Sequence, residues 1–129
     1  MEQIKIDLPV NQTVDFLKQG IQRKGLTLFC DIDHQANAKK HELEMPASHV
    51  LIFGNPKAGT RLMQKDINVS IELPLPLAVI ENKDETLLIY PKVKDYNKVY
   101  MLGDHPVLEA MQSLFDTLLA ELRSFSKVD

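Results

Sequence analysis

The chain of 129 residues has one cysteine and no tryptophan, and only 6% of its residues are aromatic. A lone cysteine closes no intramolecular disulfide and supplies no cysteine-rich metal site. Few aromatics and a net charge of −3 leave neither a stacking platform nor a basic footprint for nucleic acid. Long hydrophobic runs are also missing. The longest stretch without a charged residue, Met45 to Pro56, is too short to span a bilayer, so no membrane association is expected. The opening residues Met-Glu-Gln-Ile-Lys-Ile-Asp alternate polar and apolar and contain no apolar signal core, which points to a cytoplasmic protein. No internal repeat, low-complexity tract or flexible linker interrupts the chain, and residues 1–129 read as one domain. At 44% hydrophobic and 26% charged, a domain of this size buries about two-thirds of its unfolded surface.

What is present reads as short alternating elements. Ile4, Ile6 and Leu8 alternate with Gln3, Lys5 and Asp7, the pattern of a strand with one face buried. Beyond Pro9, Asn11 is placed to cap a helix whose buried stripe is Val14, Leu17 and Ile21. Gly20 inside it marks a close approach to a neighbouring strand, and Gly25 ends it in the left-handed region. A second strand puts Leu26, Leu28, Cys30 and Ile32 on the core face, with Thr27, Phe29, Asp31 and Asp33 on the other. Asp33 then caps a short helix over Gln35 to Leu43.

The apolar run Val50-Leu51-Ile52-Phe53 is expected to be a strand buried on both faces. It leads into Gly54-Asn55-Pro56-Lys57-Ala58-Gly59-Thr60, after which Thr60 caps a turn or two of helix through Lys65. Three more strands are predicted, over Val69 to Leu73, Leu77 to Glu81 and Thr86 to Tyr90. Pro74 and Pro76 make the stretch between them an edge or a bend. The last helix has Asp104 or His105 as its cap and Pro106 at its first position. Its apolar residues Leu108, Met111, Phe115, Leu118, Leu122 and Phe125 recur at spacings of 3, 4, 3, 4 and 3. Val107, Leu114 and Leu119 widen that stripe beyond the needs of one sheet face, which suggests a second subunit and a two-fold dimer. The fold class is α+β, with helices packed on one face of a mostly antiparallel sheet.

Three segments carry a resemblance to a known family. They are Val50-Leu51-Ile52-Phe53-Gly54-Asn55-Pro56, Gly59-Thr60-x-Leu62-Met63 and Glu72-Leu73-Pro74-Leu75. Together they resemble the core signature of the domain-of-unknown-function family 302. Asp33-His34 upstream and Tyr90-Pro91 downstream sit where that family carries similar residues, and the similarity runs from Thr13 to about Leu122. The resemblance implies a bacterial or archaeal α+β domain of strand, helix, four strands and helix. It also implies a homodimer, and no established activity. Pro76 departs from the family's basic residue after Leu-Pro-Leu, and the region around Tyr96 and Tyr100 matches loosely. A ligand contact made by such a basic side chain has no counterpart at Pro76.

The glycine loop is the first functional candidate. Gly54 and Gly59 echo the spacing of a phosphate-binding loop, but Thr60 stands where its lysine belongs and Pro56 removes a backbone donor. Nucleotide hydrolysis is therefore not expected. What remains is a site for a small ligand or anion built from Gly54, Asn55, Lys57, Gly59, Thr60 and Arg61, with Lys65 on the same helix face as Arg61. The plainer alternative is a tight turn at a strand end.

His34 joins this site only if the strands before it and after it run parallel; if they are antiparallel, it approaches His49 instead. No histidine pair brings enough ligands for a metal, and no cofactor motif is found. Cys30 on a core face reads as an inert small hydrophobe, and Asp31 with Asp33 as a solvated face plus a helix cap. Three functions stay open. One is a dimeric small-ligand-binding or regulatory domain with its pocket near Asn55. A second is an enzyme with His34 as acid or base and the loop orienting a polar substrate. The third is a protein-interaction domain using the last helix.

Overall fold

The structure, a computed structural model, describes residues 1–126. In chain order it forms β1 (Glu2–Ile6), α1 (Val10–Arg23), β2 (Thr27–Asp33), α2 (His34–Lys39), β3 (Ser48–Gly54) and α3 (Pro56–Lys65). A 3-10 helix (Ile67–Glu72) leads to β4 (Leu75–Asn82) and β5 (Glu85–Tyr90). A second 3-10 turn (Val93–Asp95), α4 (Tyr96–Val99) and α5 (Pro106–Ser126) complete the described chain. The strands lie in the order β1-β5-β4-β3-β2, and every neighbouring pair is antiparallel. This is the α+β class expected.

Period-2 burial decides which side of the sheet becomes the core. Leu51 and Phe53 of β3, Leu75, Leu77 and Val79 of β4, and Leu88 and Tyr90 of β5 share one face and are buried. The stripe of α1 and that of α5 lie on this face, burying Val14, Leu17, Ile21, Phe115, Leu118 and Leu122. Phe115 meets Phe53 edge to face at 5.6 Å between ring centroids and stacks on Tyr90 at 5.3 Å. Such pairs contribute roughly 0.5–1.5 kcal/mol each beyond the area they bury. Gly20 does mark a close approach, but to a helix rather than a strand: a Cβ there would lie 3.1 Å from Cδ2 of Leu118.

Several local expectations are corrected. Helix α1 begins before Asn11, because the Pro9 carbonyl accepts both the backbone N–H and the hydroxyl of Thr13, each at 3.0 Å. Within the segment expected as a strand from Val69 to Leu73, residues up to Glu72 wind as the 3-10 helix and only Leu73 is extended. Asp66 accepts from the Asn68 N–H at 3.0 Å and the Ser70 hydroxyl donates to the Ile67 carbonyl at 2.6 Å, so local bonds curl the backbone. Pro76 lies inside β4, an inner strand, yet β5 pairs with β4 only from Ala78 onward. At Pro76 the strand has β3 alone beside it, and the missing N–H costs no ladder bond to β5.

The largest correction is in β2. Its pairing with β3 shifts between Leu28 and Cys30, leaving Phe29 as an inserted residue. One extra residue exchanges the faces of everything after it. Asp31 and Asp33 therefore lie opposite Leu51 and His49 on the helix side, while Cys30 and Ile32 lie opposite Ile52 and Val50 on the other. Cys30 is exposed, not buried as its alternation implied. Val50 and Ile52 are half-exposed, so β3 is buried fully on one face only. The width of the α5 stripe also has an internal explanation. Val107 and Leu119 are buried within this same chain, and Leu114 packs partly buried against its core.

Candidate functional site

Asn55-Pro56 converts the end of β3 directly into a helix. The Asn55 side-chain oxygen accepts from the backbone N–H of Lys57 at 3.0 Å and of Ala58 at 3.4 Å. Pro56, with no N–H to lose, takes the first helical position. The Gly59 N–H donates to the Asn55 carbonyl at 3.0 Å, and the Thr60 hydroxyl donates to the Pro56 carbonyl at 2.8 Å. The first turn of α3 thus spends its donors on its own cap, which leaves no backbone cradle for an anion. Asn55, not Thr60, is the cap.

Helical spacing then splits the predicted site residues. Gly59 and Leu62 are buried and Ala58 and Met63 half-buried, whereas Lys57, Arg61 and Lys65 are exposed. The inward side of α3 walls a cavity of about 370 Å³ that includes Gly54, Asn55, Gly59 and Thr60 in its lining. Its other walls are Leu26 and Phe29 at the start of β2, Leu73 and Leu75 entering β4, and Met111 and Leu114 of α5. The lining is overwhelmingly apolar, and the two polar side chains in it, Asn55 and Thr60, already have intrahelical partners. Lys57 and Arg61 are outside it. Such a space accepts an uncharged apolar body.

His34 does not join this cavity. Gly54 pairs with Thr27 at one end of the antiparallel β2–β3 pair, and His49 pairs with Asp33 at the other. Five residue steps along β3, from His49 to Gly54, separate the ends by about 17 Å. His34 follows Asp33 at the far end and is exposed.

A polar cluster that the sequence reading did not assemble occupies that far end. His49 Nδ1 lies 2.8 Å from Asp31 Oδ1, and His49 Nε2 lies 3.7 Å from Asp33 Oδ2. Lys18 of α1 reaches the second oxygen of Asp31. Burial pushes the Asp31 carboxyl upward, but the hydrogen bonds and charges of His49 and Lys18 outweigh it and hold the group below the ordinary carboxylate range. The only sequence signal was the Asp-x-Asp spacing, and the bulge at Phe29 reversed its face. Among the described residues no group of three or more His, Cys, Asp or Glu is arranged to hold a metal ion.

The family model described as domain of unknown function DUF302 matches residues 2–123. The crystal structure of an uncharacterized conserved protein DUF302 from Bacillus stearothermophilus superposes with a TM-score of 0.78 at 17% identity, over 95% of this chain and 97% of that one. A segment of 66 residues, 51% of this chain, is 35% identical to fluoride-specific ion channel FluC 1 of Brucella suis and to its namesake in Brucella abortus. It covers 26% and 24% of those two proteins, so the chain spans about a quarter of the length of these curated relatives. Among the described residues no helix is long and apolar enough to cross a membrane.

Proposed function

This chain belongs to the DUF302 family, and from that premise we propose that it is a cytoplasmic, dimeric module that binds a small apolar ligand and acts in regulation. The observation that carries the reading is the apolar cavity of about 370 Å³ walled by α3, α5 and the ends of β2 and β4. An engineered cavity of about 150 Å³ suffices for benzene in another protein, so this one has room for a larger body. The anion version of the site is not part of the proposal, because the donors at the start of α3 are occupied.

The dimer rests on a different surface from α5. Ile32, Val50, Ile52, Ala78, Ile80 and Ile89 form the half-exposed second face of the sheet, away from α1 and α5. A contiguous apolar face of this kind suits a self-complementary two-fold contact. The acid–base reading centred on His34 has less support, since the carboxylate partner lies beside His49 instead. Proteins named fluoride-specific ion channels contain a similar segment within about a quarter of their length. A portable module of that sort fits a regulatory role, and conduction is not part of the proposal.

The test is a thermal-shift panel of neutral apolar compounds and of inorganic anions on the wild type and an Ala110→Trp variant. Ala110 is exposed and lines the cavity, so the indole fills the space without displacing core residues. A ligand present at 100 times its Kd adds about 2.7 kcal/mol, roughly a 10 °C rise in Tm for a domain of this size. The expected result is a rise with apolar compounds in the wild type alone. Stabilisation by anions only, or an apolar response retained in Ala110→Trp, contradicts the assignment.

A further inference from the structure

The cluster at the far end of the sheet stands apart from the proposed ligand cavity and rests on separate observations. His49 is nearly buried, with 15% of its side chain exposed, and its two ring nitrogens face two different carboxylates. Asp31 at 2.8 Å is within hydrogen-bond reach of Nδ1, which makes Nδ1–H the donor in the neutral ring. Nε2 then turns a lone pair toward Asp33, 3.7 Å away. A lone pair facing a carboxylate is unfavourable, whereas a protonated ring at this distance is drawn to it as an ion pair. The arrangement is complete only when the ring carries its second proton.

Asp33 does a second job. Its other oxygen accepts from the backbone N–H of Ala36 at 2.9 Å and so caps α2. That helix has six residues and no buried side chain, and exposed residues 40–46 follow it. A short exposed helix belongs to the low-stability end of a fold, where one cap matters. Beyond its backbone bonds, α2 is tied down by the Asp33 cap and by the Gln35 side chain donating to the Met45 carbonyl at 3.0 Å.

We propose that His49 is a proton-operated latch on the α2 segment. Protonated, it bridges Asp31 and Asp33 and holds the Asp33 carboxylate with one oxygen on the ring and the other on Ala36. Neutral, it keeps Asp31 alone and releases Asp33 to swing away from the cap. The charged groups around it come from every element packed there. Lys18 on α1 pairs with Asp31, Asp31 and Asp33 extend from β2, and His34 and Lys39 of α2 are exposed. On β4, Val79 lies opposite His49, with exposed Glu81 two residues further on. Lys18 neutralises part of the Asp31 charge, which leaves Asp33 as the partner that responds to the second proton.

Protonation adds the positive charge that draws Asp33 to the ring, and loss of that proton removes it. The latch therefore closes on the acid side and opens as pH rises. The experiment compares hydrogen-exchange protection factors for the Ala36 and Lys40 amides at pH 5.5 and pH 8.0, which removes the intrinsic pH dependence of exchange. Wild type is expected to show at least threefold greater protection at pH 5.5. His49→Gln should abolish that difference. Asp33→Asn, which can still cap the helix but cannot pair with an imidazolium, should abolish it too while keeping α2 formed. A His34→Gln, His41→Gln double variant should leave it intact, because those exposed histidines lie outside the latch. The proposal is overturned if wild type shows no difference, if the difference survives in His49→Gln or Asp33→Asn, or if it disappears in the double variant.

Discussion

Asn55 is where residue chemistry and function were easiest to confuse. Its position after a buried strand, in the loop between Gly54 and Gly59, suggested a ligand contact, yet its side chain is occupied as a helix cap. Asn55→Ala is expected to cost about 1 kcal/mol in chemical denaturation, whereas Asn55→Asp, another good cap, should stay within a few tenths. A loss of similar size in both variants would show that the amide makes a contact the cap does not explain. Asp31 makes a prediction about acid. Its folded carboxyl titrates below the ordinary 3.8, so it adds stability that is present above that value and lost as pH falls through the folded one. Asp31→Asn should therefore flatten the fall in Tm below about pH 4, and an unchanged acid limb would remove Asp31 from the account. Neither assignment could be read from residue type alone, because a cap and a ligand contact call for the same side chain.

At the scale of elements, the contact between α1 and α5 is the most constrained. Gly20 gives up about 1 kcal/mol of helix propensity relative to Ala, and a Cβ there would lie 3.1 Å from Cδ2 of Leu118, which would have to give way by a few tenths of an ångström. Gly20→Ala sets that gain against overpacking of about 1–3 kcal/mol, for an expected net loss of roughly 1 kcal/mol. In the Leu118→Ala background the same change should become stabilising, and a double-mutant cycle reads the coupling directly. Additive single effects would mean that Leu118 does not resist a Cβ at position 20. The period of α5 and the alternation in β1 were legible because each pattern repeats over several residues. The face of β2 was not legible. A single inserted Phe29 leaves no mark on composition or propensity, yet it reversed Cys30, Asp31 and Asp33 and so hid the His49 cluster. The 3-10 segment Ile67–Glu72 was lost for a similar reason. Alternating Val69 and Ile71 look like a strand, while the local bonds of Asp66 and Ser70 determine the outcome.

At the scale of the whole molecule, the antiparallel order separates what the sequence left adjacent. His34 and the Asn55 loop lie at opposite ends of one strand pair, and no reading of residues 34 to 55 could tell a crossover from a hairpin without the register. The same topology leaves one sheet face to α1 and α5 and the other half-exposed. If the proposed dimer forms through this face, the wild type sediments as a dimer in analytical ultracentrifugation and Ile52→Lys, in the middle of it, as a folded monomer. A variant that remains dimeric would move the contact elsewhere. The central claim is the apolar cavity beside α3, and native mass spectrometry of protein purified from a lysate without denaturation tests it most directly. The account predicts a reproducible mass excess, from an uncharged apolar molecule, that is present in the wild type and missing in Ala110→Trp. An excess that persists in that variant, or an apolar-free spectrum that no added apolar compound can change, would contradict it.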